Sequence, residues 1–133
     1  IGEWGYVVMA NNMLGIMSLN RGNAPFAMDY YLKALSICQK YKLPNLEWIV
    51  NMNMGALYLN IEEYQKALEH IKSSYNYIIN NSNVSQTIQS IKEIILVPFV
   101  RKIPFKNRNS LLEKIFPEIL VQNQNFAFTF WAS

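Results

Sequence analysis

Asn51–Tyr77 reads NMNMGALYLNIEEYQKALEHIKSSYNY, and the fold of the chain turns on how this stretch is parsed. After Asn60, Ile61-Glu62-Glu63 interrupts one helical pattern, and Tyr64, Ala67, Leu68, Ile71, Tyr75 and Ile78 set up another with its own buried stripe. Two short helices joined in this way must pack on each other and on neighbours. Glu62 and Glu63 fall near the start of the second, where the helix dipole favours an exposed carboxylate by ~0.3–1 kcal/mol. The same design stands upstream: Gly15 matches Gly55 and Ala27 matches Ala67 at one offset of 40 residues. That offset also pairs Asn11 with Asn51, Leu14 with Met54, Leu19 with Leu59 and Asn20 with Asn60. A repeated helical hairpin is the expected unit, and the fold class is all-α.

Working outward, the first helix is expected from Trp4 to about Asn20, its apolar residues covering more than one face, as in a helix packed from several sides. Asn20-Arg21-Gly22-Asn23 ends it: Gly22 can take positive φ, Asn23 can accept a first-turn N–H, and Pro25 follows in the first turn of the next helix. That second helix, about Ala24 to Tyr41, places Ala27, Tyr31, Ala34, Leu35 and Cys38 on one stripe, with two alanines small enough for close approach. Lys42-Leu43-Pro44-Asn45 breaks the chain again, with Asn45 as candidate cap of a third helix, about Leu46 to Asn60. The polar run Asn80-Asn81-Ser82-Asn83 closes the fourth.

Beyond it the pattern changes. Val84–Val97 has helical spacing, with Pro98 expected to kink or end the helix. Arg101 to Arg108 reads as a basic, proline-broken connector, solvated in preference to binding phosphate or anionic lipid. A sixth helix is expected behind Asn109 or Ser110, running to Phe116 before Pro117. Phe126, Phe128 and Phe130 then alternate with smaller residues at a strand-like period.

Composition narrows the class of function. A chain of 133 residues with 51% hydrophobic and 14% aromatic residues can cover one core. Its formal charge of +3, spread over scattered lysines and arginines, gives no footprint for nucleic acid. One cysteine and one histidine leave no disulfide framework and no cysteine- or histidine-built metal site, and favour a reducing, cytoplasmic setting. The longest apolar run, Ile94–Val100, contains Pro98 and falls far short of the ~20 residues of a membrane-spanning helix. The opening IGEWGYVVMA has no leader pattern and reads as an internal stretch of a longer protein.

The repeated unit resembles the tetratricopeptide repeat, a helical hairpin of about 34 residues. Met54-Gly55 stands where that family has its Leu-Gly pair, Tyr58 follows three residues on, and Tyr64, Ala67, Ile71 and Ser74 take the aromatic, small, large apolar and second small places. In the first copy Leu14-Gly15, Ala27, Tyr31 and Ala34 fit, whereas Ser18 replaces the tyrosine. The 40-residue offset implies extra length, expected in the second helix and the loop after it. This stretched variety looks like the repeats of bacterial signalling proteins, including sensory regions ahead of diguanylate cyclase domains and peptide-binding transcriptional regulators. The resemblance implies an α-α superhelix of antiparallel hairpins with about six helices: two hairpins over 1–83, and over 84–133 a degenerate third hairpin or capping helices with an aromatic tail. A third copy would put Ile95 at the glycine position and Asn107 at the packing alanine.

It also implies a concave groove lined by the first helix of each pair. The positions carried over are Met9, Asn12, Ile16, Leu19 and Asn20 from one copy, and Ile49, Met52, Ala56, Leu59 and Asn60 from the other. Such a surface suits a protein or peptide partner, apolar side chains filling the groove and amides reaching its backbone. Packing against the chain's own later helices is the competing expectation, as are a structural spacer and a self-associating module. Asn11, Asn51 and Asn53 sit inside helices, where asparagine is unfavourable by up to ~0.7 kcal/mol relative to alanine, so each should either meet ligand or bond between helices. His70 is expected on the solvated surface and Cys38 as a buried structural thiol. No phosphate loop, zinc spacing or nucleophile triad is present, so no enzyme activity and no cofactor are expected.

Overall fold

The computed structural model describes residues 2–81 and 96–117. The fold is all-α: six helices and no strand among the described residues. They are α1 (Glu3–Asn20), α2 (Ala24–Lys40), α3 (Pro44–Asn60), α4 (Tyr64–Asn80), α5 (Val97–Arg101) and α6 (Phe105–Ile115). The chain divides into two compact units, Ile1–Tyr77 and Ile78–Ser133, the division falling in the last turn of α4. No described helix is long and apolar enough to cross a membrane.

The first unit is built on a strict rhythm. Its helices are 17 or 18 residues long and every joint between them has three residues. At the middle of each joint the backbone turns left-handed: Gly22 (φ 78°), Lys42 (φ 54°) and Glu62 (φ 63°). The next residue then donates its N–H back across the helix end, Asn23 to the Ser18 carbonyl at 2.8 Å, Leu43 to Cys38 at 2.9 Å and Glu63 to Tyr58 at 2.8 Å. This is the Schellman closure, which satisfies carbonyls that a helix end leaves without partners. The two helices of each hairpin are nearly equal in length.

Glu62 and Glu63 stand immediately ahead of Tyr64, the first residue of α4, near the helix start as expected, with Glu62 left-handed. One helix start of this unit differs from the sequence reading. Leu43, in place of Asn45, is the residue at the head of α3; Pro44 begins the helix, where its missing N–H costs nothing. At α2 the expected cap forms, the Asn23 side chain accepting the Phe26 N–H at 3.1 Å.

Packing repeats with the same offset. Gly15 faces Tyr31 so closely that a Cβ there would run into the buried ring. Gly55, 40 residues on, faces Ile71, and an added Cβ would lie 2.8 Å from Ile71 Cγ1 and 3.2 Å from the Ala67 carbonyl oxygen. Each glycine thus lets the second helix of its hairpin approach the first. The open end of each hairpin is closed by stacked rings, Trp4 on Tyr41 (4.4 Å) and Trp48 on Tyr77 (6.4 Å). α3 then lays Leu46, Val50, Met54 and Leu57 into one core with Val8, Ala27, Tyr31, Ala34 and Cys38 of α1 and α2. The Cys38 thiol is fully buried, and burial together with Glu47 pushes its pKa up to about 11, as befits a packing residue.

In the second unit, the segment expected as a solvated basic connector is mostly helical and in part buried. α6 begins at Phe105, ahead of the expected Asn109 or Ser110, with Pro104 heading it. Arg108 is 5% exposed; its Nε donates to the Ile103 carbonyl at 2.8 Å and its Nη2 to that of Arg101 at 2.6 Å. One guanidinium thus satisfies carbonyls around the turn between α5 and α6, while Leu96, Val97, Val100, Ile103, Leu112, Ile115 and Phe116 supply the apolar core. Pro98 falls in the first turn of α5, a position where its missing N–H costs nothing. Residues 84–95 of the helix expected over Val84–Val97, and the aromatic tail, lie outside the described residues.

Candidate functional site

The helix-interior asparagines organise the face shared by α1 and α3. Asn53 donates its Nδ2 to the Oδ1 of Asn12 at 2.8 Å, tying α3 to α1 midway along both helices. Asn12 is buried and Asn53 half-buried, so this amide pair fixes the register of the two helices at a point where aliphatic packing alone would allow sliding. Asn51, also buried, faces the other way, and its Oδ1 lies 2.8 Å from Nδ1 of His70 on α4. Asn11 bonds within its own helix, to the Val7 carbonyl at 2.9 Å. Of the three asparagines singled out in the sequence, two bond between helices and one within.

Around the Asn12–Asn53 link lies the ribbon carried over from the repeat resemblance. Met9, Asn20, Ala56 and Asn60 are exposed; Ile16, Leu19, Ile49, Met52 and Leu59 are half-buried; Asn12 is buried. Ile16, Leu19 and Ile49 rest on the core with one side and reach solvent with the other. α1 and α3 are in contact, with Asn12 of the ribbon bonded to Asn53 of α3. It carries no formal charge, and its polar groups are amides.

A second feature was not anticipated. An open cavity of about 490 Å³ is formed by the end of α2 (Leu35, Gln39), the first half of α3 (Pro44, Glu47, Trp48, Asn51) and the middle and last turn of α4 (Glu69, His70, Ser73, Tyr77). His70 is at its edge and is not a solvated surface residue: it is half-buried, held by Asn51, and stacked on Tyr58 with ring centroids 5.3 Å apart. Because its partner is a carbonyl oxygen, Nδ1 carries the proton and donates. Burial lowers the imidazole pKa, with the Glu69 carboxylate acting in the opposite sense. Ser74 donates to the Trp48 carbonyl at 2.6 Å, holding the cavity's α3 wall to α4. The one hint of this cavity in the sequence was Asn51, a polar residue at a costly helical position.

Chemically, the ribbon can bury apolar side chains and exchange hydrogen bonds through amides. Among the described residues no three His, Cys, Asp or Glu side chains cluster as metal ligands would. Comparison with protein-family models, with characterised proteins and with solved structures finds no match.

Proposed function

We propose that this chain is a non-catalytic polypeptide-binding module of the tetratricopeptide type, a cytoplasmic part of a bacterial signalling protein. It takes a peptide or an amphipathic helix along the ribbon of α1 and α3. The observation that supports the reading is the contact of α1 with α3 through Asn53 and Asn12, on helices whose Met9, Ile16, Leu19, Ile49, Met52, Ala56 and Leu59 are uncharged and all reach solvent. Half-exposed aliphatic and methionine side chains adapt to the side chains of a bound helix, and amides at the ribbon's ends reach backbone groups.

A peptide array of amphipathic 15-residue sequences, followed by titration of the best binders, tests this. Leu19 rests on the core, so the informative substitutions are at exposed positions: Met9→Asp and Ala56→Asp should together weaken binding at least tenfold with the helical circular dichroism unchanged. Undiminished affinity in the folded double variant would remove the ribbon as the binding surface.

A further inference from the structure

The 40-residue equivalence makes a comparison possible that neither helix offers alone. α3 docks on α1 and α2 through Leu46, Val50, Met54 and Leu57, which are 6%, 1%, 1% and 0% exposed. Their equivalents on α1 are Tyr6, Ala10, Leu14 and Met17. These keep the apolar character of the stripe, yet Tyr6 is 66% exposed and Leu14 and Met17 are each 42% exposed, with Met13 beside them at 55%. The face is not a solvated one in chemistry, since Glu3 is the single charged residue of α1. It also differs from the ribbon, whose α1 residues Met9 and Ile16 lie roughly a quarter-turn around the helix at 100° per residue.

We infer that this α1 face is a docking surface for one more helical hairpin of the same repeat, seated on α1 as the α1–α2 hairpin is seated on α3. The partner is defined by the chemistry that receives the equivalent stripe here: a second helix with small, large and small apolar residues at the spacing of Ala27, Tyr31, Ala34 and Cys38. A second copy of this chain does not offer its first hairpin, which is already occupied by its own α3, and seating on its second hairpin is the outcome that sedimentation tests. A stripe so apolar and exposed, next to an interface that uses the same positions, is an interface of the same kind.

The test is an extended chain in which residues 4–43 are inserted once more ahead of Trp4, which keeps the spacing of the natural joint between α2 and α3. The extended chain is expected to melt in one transition at least ~5 °C above the native chain, a shift corresponding to about 1 kcal/mol of added coupling in a domain of this size. Leu14→Asp at the new junction should abolish that gain, whereas the same substitution in the native chain should leave melting within ~2 °C, as for an exposed site. An added hairpin that melts separately, or a gain indifferent to Leu14→Asp, overturns the inference. So does sedimentation of the native chain as a dimer that Leu14→Asp converts to monomer, since a second copy would then own the face.

Discussion

His70 shows how one proton is tied to the seating of two helices. Its ring is held between Asn51 of α3 and Tyr58, and burial keeps its pKa below the ordinary 6.5. The folded state therefore binds a proton less readily than the unfolded chain. Stability contributed here is fully present above pH 6.5 and is lost as pH falls through the depressed folded value. Melting temperature measured from pH 7.5 down to pH 5 should fall more steeply in the native chain than in His70→Gln, which keeps a hydrogen-bond donor and does not titrate. Parallel curves would show that the ring is not coupled to folding. The sequence missed this because His70 stands off the apolar stripe of α4, and only the partner helix decides whether such a position meets water or an amide. Asn51 and Asn53, by contrast, were legible as exceptions to helix propensity, and both bond across helices. Gly15 and Gly55 were legible too, since matched glycines in matched helices imply matched close approaches.

At the scale of elements, the joints carry a period that the sequence conceals. Left-handed residues recur every 20 residues at Gly22, Lys42 and Glu62, but glycine marks the first alone. Lys42 and Glu62 hold a conformation that costs L-residues roughly 1–2 kcal/mol, and they hold it because the Schellman bonds at the following residue fix the joint. Lys42→Gly and Glu62→Gly are therefore each expected to raise unfolding free energy by ~0.5–1 kcal/mol, after the greater entropy of glycine in the unfolded chain is deducted. Gly22→Ala should lower it by about 1 kcal/mol, urea titration being the measurement. If Lys42→Gly destabilises, the joint is not under the strain its φ implies. The same concealment explains the α3 start, where Asn45 had the right chemistry for a helix beginning but stands inside the helix. It also explains α6: a run of cations reads as a solvated connector until Arg108 is seen turned inward onto two carbonyls.

At the scale of the molecule, the sequence repeats while the surroundings do not. Hairpins, their order and the positions that touch within each were readable from the 40-residue offset, because contacts inside a hairpin depend on local spacing. Whether a stripe is covered depends on what lies beyond the hairpin, and no periodicity records that. Leu14 and Met54 are the sharpest pair, since they occupy one alignment position, yet Leu14 is 42% exposed and Met54 is 1% exposed in the core with Tyr31 and Leu57. Met54→Ala should cost ~2–5 kcal/mol, the combined loss of transfer free energy and of packing around a cavity. Leu14→Ala should stay within about ±0.5 kcal/mol, since alanine is the better helix former and little area is uncovered. Urea unfolding of the two variants under one set of conditions measures the difference directly. Equal losses at both positions would mean that α1 is covered in solution even without another hairpin, and the α1 face would then have to be assigned to contacts within the chain or between its copies.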